Sequence, residues 1–193
     1  MEWMIKCISW PNMAERRAAT IDAHVAHLDN YKAQTWYSGP MLVGDESNAN
    51  GSFRVVDFSD RQGARDYIDT DPYTTAEIFR RIDIEPVRPW TDMRQRDFEQ
   101  TEGRAQFIVI ARTDPLTPES VEGDVSGFLV AHNDALVFAG ALLDEPREAL
   151  TGALYVIDVD GREGADAFLA GEPLSRGPEG RSLTIERWRF GHV

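Results

Sequence analysis

His24 and Asp71 are the residues of this chain whose types and places best suit proton transfer. An imidazole with an ordinary pKa near ~6.5 takes or gives a proton at neutral pH without large tuning. His24 stands three residues after Ile21 and four before Leu28, at the edge of an apolar helical stripe, where a side chain can reach a cleft. Asp71 belongs to "DTDPY", residues 69–73, just ahead of a proline. A carboxylate there, at the end of a second helix packed beside the first, would orient the ring, hold its tautomer and favour its protonated form. A helix-to-loop hydrogen bond or a plain helix stop would use the same two residues without chemistry. Around the pair, Ser38 and Tyr73 offer hydroxyl donors, and Trp10 and Trp36 serve as apolar walls or as strand core. Arg16 or Arg17 meets an anionic substrate or simply faces water. Asp69 reads as a solvated residue of the last helical turn. His24, His27 and Asp71 have i, i+3 metal spacing but lack a further ligand, so His27 reads as exposed, and neither metal nor cofactor is expected.

The elements that must position these residues follow from periodicity. "MIKCISW" reads as a strand, and Asn12 with Glu15 three residues on reads as a capping-box start to a helix. Ala14, Ala18, Ile21, Val25, Leu28 and Lys32 recur at helical spacing, which predicts one apolar face set against a sheet. "TWYSGPMLV" reads as a strand broken by a Gly-Pro turn, and "SFRVVDF" alternates as another strand. Ser59 with Gln62 starts a second helix, and Asp71-Pro72 stops it, because a residue before proline is pushed out of helical geometry. "IDIEPV" closes the unit as a strand. The order β-α-β-β-α-β is the split motif of ferredoxin-like folds.

The motif is written twice. A shift of 101 positions lays "GSFRVVDFSDRQGARDYIDTDP", from Gly51, over "GALYVIDVDGREGADAFLAGEP", from Gly152, without a gap. Gly39 falls on Gly140 and Leu42 on Leu143, while Asp160 with Glu163 repeats the second-helix cap. The polar run "TDMRQRDFEQTEGR" carries no sustained apolar period, so the expected organisation is a domain over residues 1–95, a linker over 96–103 and a second domain over 104–193. Halves this small hold marginal cores alone. The expectation is an α+β chain of two tandem ferredoxin-like domains, whose bare sheet faces close on each other as an intrachain pseudo-dimer. A further homodimer of the whole chain stays open.

Composition bounds the partners. With 33 acidic against 20 basic side chains the chain carries a formal charge of -13, which repels phosphate backbones, and no basic stripe with interleaved aromatics overrides it. Nucleic acid is therefore not an expected partner. No stretch approaches the roughly 20 apolar residues of a membrane span, and the opening "MEWMIKCISW" lacks the basic-then-apolar order of a signal peptide. The expectation is a cytoplasmic protein without membrane attachment, acting on a small molecule. Cys7 is the one cysteine, so no internal disulfide can form, and its apolar strand setting reads as a buried thiol.

A strand, then "HVAHL" on a helix, "YSGPML", a helix ending in "DTDPY" and finally "IDIEPVRPW" together resemble the YciI-like (YCII-related) family over nearly all of residues 1–95. That resemblance implies a dimeric α+β barrel fold and makes His24 and Asp71 the counterparts of a proposed active-site pair. Gly39 and Pro40 match the family's "AGP" turn, which places them with Ser38, Tyr73 and Trp10 as substrate-binding candidates. A characterised relative is a dehydrochlorinase acting on a chlorinated hydroxyquinol, and muconolactone isomerases share the superfamily barrel. In the second half the shift puts Val125 at the place of His24 and Glu172 at that of Asp71, while His132 falls at the place of Tyr31. Valine cannot exchange protons, so that half resembles a family domain that has lost its site. The functional expectation is cofactor-free acid-base catalysis, an elimination or isomerisation of a small cyclic or aromatic compound by the His24–Asp71 dyad. The alternative is a module that binds a small ligand or mediates assembly without turnover.

Overall fold

The computed structural model describes residues 1–43, 48–174 and 182–193. In chain order the elements are β1 (Glu2–Ser9), α1 (Ala14–Asp29), β2 (Thr35–Val43), β3 (Asn48–Asp57), α2 (Arg61–Asp69), α3 (Pro72–Thr75), β4 (Phe79–Pro89), β5 (Ala105–Leu116), α4 (Glu122–Ala131), β6 (Leu136–Leu143), β7 (Leu150–Val159), α5 (Gly161–Leu169) and β8 (Leu183–Trp188). The fold is α+β with antiparallel strand pairing. Two compact units divide it inside β4: unit 1 is Met1–Glu85 together with Arg189–Val193, and unit 2 is Pro86–Trp188. The division therefore falls ahead of the 96–103 segment expected as a linker.

In unit 1, β3 lies between β1 and β2, and β1 is followed outward by the first part of β4. Alternation along β1 and β3 sends Trp3, Ile5, Cys7 and Val56 into a core closed by Ala64, Tyr67 and Ile68 of α2 and Leu28 of α1. Ser52 and Arg54 share the parity of Val56, so β3 turns Ser52, Arg54 and Val56 toward its helix-covered side. Cys7 is buried as expected, and burial pushes its thiol up to about 12, despite the opposing charge of Arg54. In unit 2, β5 lies between β8 and β7, β7 pairs with β6, and Val87–Pro89 of β4 pairs with β6. Phe107, Phe128, Tyr155 and Phe168 build the core of that unit.

The two hairpins keep register under the 101-residue shift. Gly39 opposes Phe53 and Ser38 opposes Arg54 in unit 1, while Gly140 opposes Leu154 and Ala139 opposes Tyr155 in unit 2. The irregularities fall at corresponding places too, Thr35/Tyr37 with Leu136/Phe138 and Met41/Leu42 with Leu142/Leu143. The repeated glycines have one steric cause. A Cβ on Gly51 would lie 2.2 Å from the Cys7 carbonyl oxygen, and one on Gly152 would lie 2.3 Å from that of Ala111.

Five local expectations are corrected. Asn12 does not cap α1: it sits in the left-handed region at φ 61, and Met13 precedes the helix without a side-chain hydrogen bond. The apolar stripe of α1 does not seal against the sheet. Leu28 is buried, but Ala14 and Ala18 are exposed, Ile21 is 42% exposed, and Lys32 lies beyond the end of the helix. Ile21 and Val25 instead line a cavity. The Gly-Pro pair makes no turn, because β2 runs unbroken through Gly39 and Pro40, with Pro40 opposite Ser52. Asp60, not Ser59, caps α2, accepting from the Gly63 N–H at 2.8 Å. Asp160 occupies the matching position ahead of α5 but makes no side-chain capping bond.

Candidate functional site

Helical geometry puts Arg17, His24 and Leu28 on one side of α1, since seven residues are close to two turns. Pro72 fixes the other partner. It keeps Asp71 extended, at φ -62 and ψ 128, and opens the four-residue α3, so Asp71 does not merely stop α2. The Asp71 side chain caps that turn by accepting the Tyr73 N–H at 2.8 Å, which anchors a carboxylate oxygen in place.

His24 and Asp71 meet there. The His24 Nδ1 lies 2.8 Å from Asp71 Oδ1, and both residues are buried, Asp71 completely. The other carboxylate oxygen, Oδ2, accepts from an Arg54 guanidinium nitrogen at 2.6 Å. Arg54 is itself fully buried, with its guanidinium carbon 5.4 Å from the Tyr67 ring centroid. Tyr73 completes the cluster by stacking on the His24 imidazole, ring centroids 3.8 Å apart and planes 10° from parallel.

The electrostatics fix the protonation states. Burial works to raise the Asp71 pKa, but the Arg54 charge and the hydrogen bonds from His24 and the Tyr73 N–H outweigh it and hold the carboxyl well below its usual range. Asp71 is thus an anion and accepts from His24, so Nδ1 carries the proton. For His24, burial is the largest influence and lowers its pKa. The Asp71 carboxylate opposes that shift without reversing it, while Arg54 and Arg17 add to it. Asp71 thus favours the imidazolium, but burial outweighs it. At neutral pH the ring is neutral, with a lone pair on Nε2, and it lines a cavity of about 390 Å³. A fixed neutral imidazole beside a space of that size can accept a proton from a bound molecule.

Ser38, Gly39, Pro40 and Tyr73 line the same cavity. Trp10 does not: it is 52% exposed and borders a separate depression with Pro11 and Met13. Its backbone N–H donates to the Ile78 carbonyl, just ahead of β4, at 2.9 Å. Trp36 is buried. His27 is half-buried rather than exposed and meets the Tyr67 carbonyl at 3.1 Å through Nε2. Among the described residues no group of three or more His, Cys, Asp or Glu side chains is arranged to hold a metal ion. Asp69 is exposed and pairs with Arg65 at 2.8 Å. Arg16 reaches the Ala76 carbonyl at 3.2 Å on the outside of the helix, whereas Arg17 turns into the cavity.

Sequence reasoning missed Arg54 and the segment Arg189–Val193. That segment binds β2 through Gly191 N–H to the Ser38 carbonyl, at 2.9 Å, and Arg189 N–H to the Pro40 carbonyl, at 3.4 Å, so that it borders the cavity. Gly191 approaches so closely that a Cβ there would lie 2.8 Å from the Gly39 Cα. In unit 2 the corresponding cluster is uncharged at two of its three positions. Val125 stands for His24, Tyr155 for Arg54 and Glu172 for Asp71, and the Tyr155 hydroxyl donates to Glu172 at 2.9 Å. A cavity of about 450 Å³ lies beside Val125 without an imidazole on its wall.

Known proteins resemble this chain in sequence over part of its length and in fold over most of it. An uncharacterized protein of Haemophilus influenzae is 27% identical over 95 residues, 46% of this chain and 97% of that protein. A chlorite dismutase from Candidatus Nitrospira defluvii superposes with a TM-score of 0.61 at 8% identity, covering 97% of this chain and 90% of that one. A putative monooxygenase from Fusobacterium nucleatum superposes with a TM-score of 0.59 at 6% identity, covering 98% and 91%. At such identities the likeness is one of fold, that of the dimeric α+β barrel proteins. No helix among the described residues is long and apolar enough to cross a membrane. Residues 1–90 match the YCII-related domain model.

Proposed function

We propose that the His24–Asp71 pair is the acid-base centre of an enzyme that eliminates from or isomerises a small cyclic or aromatic compound. The observation that carries this reading is a neutral imidazole, its Nδ1–H held by a charge-stabilised carboxylate, on the wall of a cavity of about 390 Å³. In an elimination, Nε2 takes a proton from a ring carbon next to a carbonyl, the C–H electron pair becomes the new double bond, and the leaving group departs as an anion. The imidazolium then returns its proton to water. In an isomerisation the same imidazolium gives the proton back at another carbon. Asp71 keeps Nδ1 protonated throughout and stabilises the transient cation. Arg54 is a positioning residue, because it touches Asp71 and acts through it.

The shared hairpin register and the substituted cluster support reading residues 104–193 as a repeat of residues 1–95 that has kept its elements and lost the base. The experiment is a panel of cyclic ketones, lactones and halogenated quinols incubated in D₂O and followed by NMR for proton exchange or loss. Wild type should exchange or convert at least one class, and His24→Ala should abolish this while circular dichroism shows the fold retained. Conversion that survives His24→Ala refutes the assignment. Tight retention of a compound with no exchange in any class supports the binding-module alternative instead.

A further inference from the structure

Arg17 is a cation in the cavity that the acid-base centre does not use. Its guanidinium rests on two neutral oxygens, Ser9 Oγ at 3.2 Å and Ser52 Oγ at 3.4 Å, and lies 4.6 Å from the Tyr73 ring centroid. Both serines are buried, and among the described residues no carboxylate pairs with this arginine. Among the described residues the acid in reach, Asp71, is already engaged by Arg54 and His24. A half-buried guanidinium satisfied only by hydroxyls keeps most of its charge available, and its five-donor fork suits a planar carboxylate or phenolate.

The rest of the lining points the same way. Among the described residues bordering the cavity are Arg17, Arg54 and Arg189, and not one aspartate or glutamate. This is an unusual exclusion in a chain with 33 acids against 20 bases. Burial and the nearby Arg54 charge lower the Arg17 pKa, a cost that a bound anion would offset. The unit 2 cavity supplies a contrast. The position corresponding to Arg17 is Pro118, and Glu119 and Glu122 border the space with the single cation Arg88 among the described residues. One cavity is built to attract negative charge and the other is not.

We propose that the cavity beside His24 recognises a small planar ring bearing a carboxylate or phenolate, and that Arg17, aided by the Ser52 hydroxyl, binds that anionic group while the ring lies against Tyr73 and His24. The proposal rests on reading this cavity as the substrate site, and it names the class of substrate. Binding at Arg17 sets the ring within reach of Nε2, and the same positive field favours an anionic transition state once a proton has been taken.

The test is an equilibrium measurement, so it does not depend on turnover. Benzoate and its neutral analogue benzamide are titrated into the full chain by calorimetry. Wild type should bind benzoate at least about tenfold more tightly than benzamide, the scale of a charge-assisted hydrogen bond. Arg17→Gln should level the two, Arg17→Lys should keep part of the preference, and Arg16→Gln should match wild type. His24→Ala should keep the preference, so a failed acid-base assignment leaves this result standing. Equal affinity of wild type for the two probes, no binding of either, or a preference that persists in Arg17→Gln overturns the proposal. Because the first comparison uses wild type alone, it decides the matter even if a variant fails to fold.

Discussion

Replacing Arg54 by methionine removes the cation from a carboxylate with no access to water. Both Arg54 and Asp71 are fully buried and lie 2.6 Å apart. Removing one partner of a buried pair strands the other charge, at a cost of roughly 3–5 kcal/mol. Asp71 retains two donors, the His24 ring and the Tyr73 N–H, so the expected loss is at the low end, about 3 kcal/mol. That is a large fraction of the ~5–15 kcal/mol typical of a folded domain. The loss also depends on pH in a defined direction. Because the folded-state pKa of Asp71 is depressed, its contribution is fully present above the unfolded value of about 3.9 and disappears as pH falls through the folded value. The gap between wild type and Arg54→Met should therefore be widest near neutrality and narrow below about pH 4. Urea unfolding followed by circular dichroism measures it. The double variant Arg54→Met/Asp71→Asn should lose less than the sum of the single losses, by more than about 1 kcal/mol, because it strands no charge. A loss under about 1 kcal/mol for Arg54→Met at neutral pH, or strict additivity in the double variant, would refute the reasoning.

Other outcomes follow from the same cluster. With the His24 pKa lowered by burial, the rate of any reaction using Nε2 as base should rise with pH through a value below ~6.5 and then stay level. Arg17→Gln, which removes a charge that depresses this pKa, should move the limb to higher pH, and an unmoved limb would count against His24 as the titrating base. The triple change His24→Val, Arg54→Tyr, Asp71→Glu copies the arrangement found in unit 2. It should fold at least about 1 kcal/mol more stably than Arg54→Tyr alone while losing all activity, as read by urea unfolding and the exchange assay.

The parts of the site that were legible in the sequence are those governed by local rules. Helical spacing set His24 at the inner edge of α1, and Pro72 announced that Asp71 would leave helical geometry, which together bring the pair to 2.8 Å. Arg54 was hidden by the same logic. In "SFRVVDF" a charged residue between apolar neighbours reads as the solvent-facing member of an alternation, and only α2 and α3 folding over that side of β3 bury it. Arg17 was undecided against Arg16, although its seven-residue distance from His24 already placed it on the inner side. Gly39-Pro40 misled as a turn signal because a proline is tolerated in a strand that sits at the edge of its unit. The Arg189–Val193 segment has no periodicity to reveal that it returns to unit 1.

That return ties one wall of the cavity to a segment far away in the chain. Val193 sits one residue past His192, whose ring meets Asp29 at the foot of α1 at 2.6 Å, while Gly191 lies flat on Gly39. Bulk added at Gly191 or His192 would therefore press on β2 and on the rim of the cavity that His24 borders.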